Sequence, residues 1–117
     1  MENISVIDRE KLKKWIDEKK DFVLVDVLLQ ISYDEHRIPG AVHAGVHEDG
    51  FLEKVAGFVL DKTKTTVVYC SSFHCQASVI AAKRLGEAGY TDVYHFAGGL
   101  ADWQDAGYAL EEGEPKN

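Results

Sequence analysis

Two cysteines with four residues between them, Cys70 and Cys75, are the only cysteines of this 117-residue chain. They follow a β-branched and aromatic run at 65–69, typical of a buried strand, and precede apolar residues at helical spacing from Ser78 onward. A loop between a strand end and a helix N-terminus directs backbone N–H groups and the positive end of the helix dipole at one point, which stabilises a thiolate. The spacing therefore predicts a reactive thiol site at this loop.

The loop residues around the two cysteines are predicted to form the substrate site. Cys70, at the strand end, is favoured as a nucleophile over a role as a buried core thiol. Hydroxyl groups in the loop can donate to a thiolate, although Ser78 is favoured as the N-cap of the following helix. The residues expected to line the site are Ser71, Ser72, Phe73, His74, Gln76, Ala77 and Ser78.

His74 lies between the two cysteines and is interpreted as an exposed loop residue rather than an acid, a base or a metal ligand. With the two thiols it would supply three ligands, fewer than the four of a closed tetrahedral zinc site. His43 and His47 are the other candidate ligands considered. The sequence therefore predicts neither a metal ion nor another cofactor.

The charge balance limits the class of partner. The formal net charge is −7, from 20 acidic and 13 basic residues, and no basic run is present. This argues against nucleic acid or an anionic membrane as a partner. Neither an apolar run of about 18 residues nor a signal-peptide pattern is found. We therefore expect a cytoplasmic protein, in a compartment where reactive cysteines are more common than disulfides.

Strand and helix patterns alternate about five times, which indicates an α/β fold with a mainly parallel sheet. The continuous apolar run at 22–27 predicts a strand covered on both faces, and Asp26 near its end is expected to hydrogen-bond loop backbone close to the site. Asp8 is the predicted N-cap of the first helix. One domain is predicted over residues 1–110, followed by a flexible tail at 111–117.

Five motifs, in order along the chain, resemble those of the rhodanese family. Val25-Asp26-Val27 resembles the family's second strand, and residues 33–41 resemble its segment from a tyrosine to Gly-His-Ile-Pro-Gly-Ala, with His36 and Arg37 standing for the Gly and His. The other three motifs resemble the cysteine-bearing strand, the Ser-x-x-Ala-Ala helix start and the closing Gly-Gly, Trp and Gly; they lie at 67–70, 78–82 and 97–107. The resemblance implies a three-layer fold with a mainly parallel five-stranded sheet flanked by helices.

The cysteine loop departs from the family pattern Cys-Arg-x-Gly-x-Arg-Ser. Seven residues rather than five separate Cys70 from Ser78, and neither loop arginine is present. Because an arginine hydrogen bond to an anion contributes about 1.5 to 3 kcal/mol, losing two disfavours a dianion such as thiosulfate. The sequence leaves open whether Arg37 reaches over the pocket to replace them. Gln76 stands where the related phosphatases need an arginine, which disfavours phosphatase chemistry.

The resemblance implies that Cys70 takes sulfane sulfur as a persulfide and passes it to a thiophilic acceptor. The first hypothesis is therefore a sulfurtransferase, poor with thiosulfate, that uses a small-molecule or protein persulfide donor and a thiol acceptor and exists as a monomer or weak homodimer. The alternatives are a non-catalytic rhodanese-like binding or redox-sensing module and a dithiol reductase using Cys70 and Cys75. Cys75 is expected to be a partner thiol; a resolving thiol, a second sulfur carrier, the nucleophile itself and a small apolar filler of the loop all stay open.

Overall fold

A computed structural model describes residues 4–113 of the chain. The strands are β1 (Ile4–Val6), β2 (Val23–Asp26), β3 (His36–Arg37), β4 (Val42–His43), β5 (Thr66–Tyr69), β6 (Val93–Phe96) and β7 (Glu111–Glu112). The helices are α1 (Arg9–Asp17), α2 (Gln30–Glu35), α3 (Phe51–Phe58), α4 (Ala77–Glu87) and α5 (Gly99–Asp105). Within residues 4–113 no helix has the length and apolar character needed to cross a membrane.

Five of the strands form one parallel sheet in the order β1-β6-β5-β2-β4, which confirms the predicted α/β fold. β5 lies at the centre, and its Tyr69 is in register with Asp26 of β2 and Phe96 of β6. The carboxyl ends of the three central strands therefore meet at one edge of the sheet. Cys70 directly follows β5, so it lies at the edge where open α/β sheets build their sites.

Buried side chains form a cluster on each face of the sheet. One cluster packs α3 and α4 against Val68 and includes Cys70. The other packs α1 and α5 against Val67 and Tyr69. Because side chains alternate across a strand, Cys70 lies on the α4 side of the sheet and Tyr69 on the opposite side.

The starts of two helices test the predicted caps. Asp8 is the N-cap of α1, where its Oδ1 accepts from the Lys11 N–H at 2.8 Å, as predicted. The prediction that Ser78 caps α4 is wrong: the helix begins at Ala77, after an N-cap residue, Gln76, that makes no side-chain cap. Ser78 lies inside the first turn of α4. Its hydroxyl does not cap the helix but lies 3.3 Å from the sulfur of Cys70.

The segment after residue 110 differs from the predicted flexible tail. Glu111–Glu112 form β7, which pairs antiparallel with β3. The buried Arg37 guanidinium fixes this pairing, because it donates to the Gly113 carbonyl at 2.8 Å and lies 3.4 Å from a carboxylate oxygen of Glu111. Because β7 is held by backbone pairing and one ion pair, its sequence has no apolar pattern from which a strand could be predicted. Residues 114–117 of the predicted tail lie outside the described residues.

Candidate active site

Cys70 is completely buried, with 0% of its surface exposed. Its Sγ lies 3.3 Å from Ser78 Oγ and 3.5 Å from the carbonyl oxygen of Cys75. Burial raises the pKa of the Cys70 thiol, and its hydrogen bond to the Cys75 sulfur raises the pKa further, while the hydroxyl and N–H of Ser78 oppose the shift. Cys70 is therefore a neutral thiol that donates a hydrogen bond.

Cys75 is partly exposed, and it meets several donors. Partial burial acts to raise its thiol pKa, but hydrogen bonds from the Cys70 thiol, from the N–H and hydroxyl of Ser71 and from the Ala77 N–H outweigh this and lower the pKa. Within this loop, the pKa of the Cys75 thiol is therefore lowered while that of the Cys70 thiol is raised.

The loop folds back on itself and so brings Cys75 against Cys70, whose Sγ lies 3.5 Å from the Cys75 carbonyl oxygen. The Cys75 N–H donates to the Ser72 carbonyl at 3.1 Å, and the His74 N–H lies 3.3 Å from the Ser72 hydroxyl. This tight turn is what a pair of cysteines with four intervening residues needs in order to make contact. The result is a two-thiol site with Cys70 below and Cys75 above, towards the surface.

The N-terminus of α5 holds the start of the loop. The Leu100 N–H donates to the Cys70 carbonyl at 3.0 Å, and the Ala101 N–H donates to the Ser71 carbonyl at 2.8 Å. Gly99 has φ +61°, and a Cβ there would lie 2.9 Å from the carbonyl carbons of Cys70 and Ser71. The contact thus requires glycine. The sequence indicated a Gly-Gly turn before a helix, but the approach to the cysteine loop carried no signal of its own.

The other predicted site residues divide into two groups. Ala77 and Ser78 are buried against the thiols, whereas Phe73, His74 and Gln76 are exposed side chains of the loop. Among residues 4–113, no group of three His, Cys, Asp or Glu side chains is arranged to hold a metal ion.

Asp26 is buried on the Tyr69 side of the sheet. Its Oδ1 accepts from the Leu28 N–H at 2.9 Å, so it organises the chain after β2 as expected, while its Oδ2 has no hydrogen-bond partner among the described residues. Burial raises the pKa of this carboxyl, and the Leu28 N–H, the Tyr69 hydroxyl and the charges of His43 and Arg37 oppose the shift.

All three arginines are engaged outside the cysteine loop. Arg37 donates to the carbonyls of Tyr33 at 3.0 Å and Gly113 at 2.8 Å. Arg84 donates to the Val46 carbonyl at 3.0 Å. Arg9 forms ion pairs with the side chains Glu10, Asp102 and Asp105. None of these hydrogen bonds and ion pairs reaches the thiols, so Arg37 does not replace the missing loop arginines.

A surface groove of about 540 Å³ lies between α2, β4 and α3, away from the cysteines. Its lining residues are Gln30, Tyr33, Val42, His43, Glu53, Lys54, Gly57 and Phe58. None of them belongs to the cysteine loop. The partly exposed Cys75 is therefore reached from the protein surface and not through this groove.

Comparison with known proteins gives a consistent result. Residues 8–106 match the family described as the rhodanese-like domain. The thiosulfate sulfurtransferase GlpE of Coxiella burnetii is 35% identical over 95 residues, which are 80% of this chain and 82% of that protein. The probable adenylyltransferase/sulfurtransferase MoeZ of Mycobacterium tuberculosis is 28% identical over 100 residues, but these are only 24% of its length. The crystal structure of the Alr3790 protein from Anabaena sp. superposes with a TM-score of 0.81 at 25% identity, over 92% of each chain.

Proposed function

The chain belongs to the rhodanese-like domain family, and we propose that it is a sulfurtransferase that carries sulfane sulfur as a cysteine persulfide. Relatives with names that specify sulfur transfer support this reaction class. The observation that carries the proposal is the partly exposed Cys75 beside the buried Cys70, with hydrogen bonds from Cys70, Ser71 and Ala77 that lower the pKa of the Cys75 thiol. Such donors stabilise both a thiolate and a singly charged persulfide.

We assign the first sulfur-accepting step to Cys75, which reverses the order of the two thiols predicted from the sequence. The Cys75 thiolate attacks the outer sulfur of a persulfide R–S–SH, the S–S bond of the donor breaks, and its electron pair leaves on R–S⁻. An acceptor thiolate then attacks the outer sulfur on Cys75 and regenerates the Cys75 thiolate. Cys70 is less suited to the first step because it is fully buried and its pKa is raised.

The donor is expected to carry at most a single charge. The loop offers backbone N–H groups and hydroxyls, and its arginine-free sequence lacks the bidentate partner that a compact dianion requires. All three arginines of the chain are bonded elsewhere. We therefore propose that low-molecular-weight or protein persulfides are better donors than thiosulfate, with a thiol as acceptor.

The test is to treat reduced protein with thiosulfate, polysulfide or a low-molecular-weight persulfide and to record intact masses. Cys70→Ser is expected to gain one sulfur atom from the persulfide, removable by cyanide, whereas Cys75→Ser gains none. A gain in Cys75→Ser that is lost in Cys70→Ser would return the carrier role to Cys70. If no donor adds sulfur to wild type or to either variant, the proposal fails and the non-catalytic binding module takes its place.

A further inference from the structure

The relative depth of the two thiols determines where an added sulfur atom lies. Cys70 is fully buried, its Sγ lies 3.5 Å from the carbonyl oxygen of Cys75, and Cys75 packs against the core cluster that contains Cys70. Cys75 is partly exposed, so it is the thiol of the pair that an incoming persulfide reaches. A persulfide formed on Cys75 therefore has the Cys70 thiol as its neighbour on the core side. Attack of the Cys70 thiolate on the Cys75 Sγ displaces the outer sulfur of the S–S bond.

We propose that Cys70 resolves the persulfide on Cys75, which releases hydrogen sulfide and leaves a Cys70–Cys75 disulfide. The inference rests on the proposed function, because it needs the Cys75 persulfide as its starting point. It adds a further activity: the protein is a persulfide reductase whose substrates are a persulfide and a reducing thiol. The reductant class is a low-molecular-weight dithiol, or two equivalents of a monothiol, which reopens the disulfide.

The atoms and electrons of this step balance within the site. A bond forms between the sulfur atoms of Cys70 and Cys75 while the S–S bond of the persulfide breaks. The electron pair of that bond leaves on the outer sulfur, which departs as hydrosulfide and takes up the proton that Cys70 loses. The outer sulfur is reduced to sulfide, and the two cysteines are oxidised to a disulfide. Over a full cycle, one persulfide and two reducing thiols give one thiol, one hydrogen sulfide and one disulfide.

Ser78 is placed to assist the loss of the Cys70 proton. Its hydroxyl lies 3.3 Å from the Cys70 sulfur, and its backbone N–H also hydrogen-bonds to that sulfur. Both groups favour the Cys70 thiolate over the neutral thiol. This explains why the hydroxyl of a residue in the first turn of α4 points at a buried thiol instead of capping its helix. Ser78 is thus a positioning residue for the resolving thiol.

Proximity favours resolution over slow transfer to a dilute acceptor. A thiol held against its target acts at an effective concentration far above that of thiols free in solution. The Cys70 thiol is held in this way, because its Sγ lies 3.5 Å from the Cys75 carbonyl oxygen in the folded loop. The persulfide on Cys75 is therefore short-lived unless an acceptor intercepts it quickly.

The test is a single-turnover reaction of reduced protein with one equivalent of low-molecular-weight persulfide, without oxygen. Free sulfide is measured, and mass spectrometry gives the mass of the tryptic peptide 65–83. This peptide contains both cysteines and no internal Lys or Arg. Wild type is expected to release close to one sulfide per chain and to give a peptide two hydrogen atoms lighter, restored by a reductant. Cys70→Ser is expected to hold a stable persulfide and to release sulfide at least about tenfold more slowly.

Two further samples complete the experiment. Cys75→Ser with the same donor measures sulfide that arises without loading, and wild type without donor measures disulfide formed by stray oxidation. Ser78→Ala is expected to load normally but to release sulfide with a pH profile displaced to higher pH, because the Cys70 thiolate has lost one hydrogen bond. An unchanged pH profile in Ser78→Ala would overturn the positioning role.

The outcomes separate this inference from the function on which it rests. If wild type keeps a stable persulfide, with no sulfide released and no change in the hydrogen count of the peptide, the resolving role of Cys70 is overturned while the sulfurtransferase proposal stands. If neither wild type nor Cys70→Ser gains sulfur, both are overturned. The sulfide and peptide measurements on wild type need no variant, so a stable persulfide in wild type overturns the inference even if a substitution prevents folding, whereas the two Cys→Ser variants show which thiol is loaded.

Discussion

The two cysteine side chains differ in reactivity because they meet different neighbours. Hydrogen bonds from Cys70, Ser71 and Ala77 lower the pKa of the partly exposed Cys75 thiol, whereas Cys70 is enclosed by the core and burial raises its pKa. We expect iodoacetamide at neutral pH to alkylate Cys75 well before Cys70. The alkylation rate of Cys75 is expected to reach half its maximum (the alkylation midpoint) at a lower pH than that of an ordinary cysteine thiol. Peptide mapping after brief labelling, repeated across a pH series, measures both quantities.

Two serine variants test whether the hydroxyl of Ser71 contributes to the difference in reactivity between the two thiols. Ser71→Ala removes one donor to the Cys75 sulfur and is expected to move the alkylation midpoint to higher pH. Ser72→Ala is the matched control, because its hydroxyl bonds to the His74 N–H and not to a thiol. Labelling of Cys70 first, or equal midpoints for the two variants, would contradict the assignment.

Asp26 makes the stability of the fold depend on pH. Its carboxyl is buried and its pKa is raised by that burial, so the folded state favours the protonated form. Its favourable contribution is complete below the unfolded-state pKa, about 3.9, and is lost as the pH rises through the higher folded-state value. The unfolding free energy of wild type is therefore expected to fall relative to that of Asp26→Asn as the pH rises from about 4.

Urea unfolding at several pH values tests this expectation. Asp21→Asn serves as the control, because Asp21 is exposed and its ion pair with Lys64 contributes little. A difference between wild type and Asp26→Asn that grows in favour of wild type with increasing pH would contradict the burial argument.

At the scale of secondary structure, the N-terminus of α5 packs so closely on the cysteine loop that a side chain at Gly99 does not fit. Gly99→Ala adds a Cβ against the backbone of Cys70 and Ser71 at a positive φ. We expect it to lower the unfolding free energy by more than about 2 kcal/mol and to slow sulfur loading of the folded protein, because the loop must move. Chemical denaturation and the mass assay measure the two effects.

Gly57→Ala is the control for Gly99→Ala. Gly57 lies in α3, and a Cβ there meets no atom within 4 Å. Its substitution is expected to raise the unfolding free energy by up to about 1 kcal/mol, since alanine favours the helix. If Gly99→Ala were as stable as Gly57→Ala and loaded sulfur equally fast, the close contact would have no role.

The elements that the sequence predicted well are those with a hydrophobic pattern. β2 and β5 appear as uninterrupted apolar or β-branched runs, and the Asp8 cap marks α1. Two features without such a pattern were missed. β7 depends on backbone pairing and on Arg37. The start of α4 was displaced because Ser78 bonds to a thiol that its sequence position alone does not reveal.

Which of the two thiols lies nearer the protein surface could also not be predicted from the sequence. Cys-x4-Cys spacing allows either sulfur to lie nearer the surface, and the choice is made by the turn that Ser72 closes and by the contact from α5. Both are contacts between backbone groups, which any residue type supplies. The loop as a site could be predicted from strand, cysteine and helix signals, whereas the roles within it required the three-dimensional arrangement.

On the scale of the whole molecule, net charge is expected to affect the choice of donor. The chain carries −7 and has no arginine at the thiols, so a dianion is repelled as it approaches. Raising the salt concentration from about 0.01 to 1 M shortens the Debye length from about 30 to 3 Å and screens this repulsion. Loading from thiosulfate is therefore expected to accelerate a few-fold, and loading from a singly charged persulfide less.

Initial loading rates of Cys70→Ser across this salt range provide the measurement, because resolution by Cys70 is absent from that variant. Sodium chloride and potassium chloride should give the same trend if screening is the cause. A thiosulfate rate that falls with added salt would instead point to an attractive cationic site near Cys75.

Because α5 follows the cysteine loop in the chain, the contacts that hold this loop can form only some time after the cysteines have been synthesised. The N–H groups that hold the carbonyls of Cys70 and Ser71 belong to Leu100 and Ala101, which leave the ribosome well after the cysteines themselves. A growing chain that ends before Leu100 therefore has both thiols but lacks the contacts that fix their loop. The cysteine loop is held in place only after Leu100 and Ala101 have been added, so the growing chain passes through a stage in which its cysteines react as ordinary thiols.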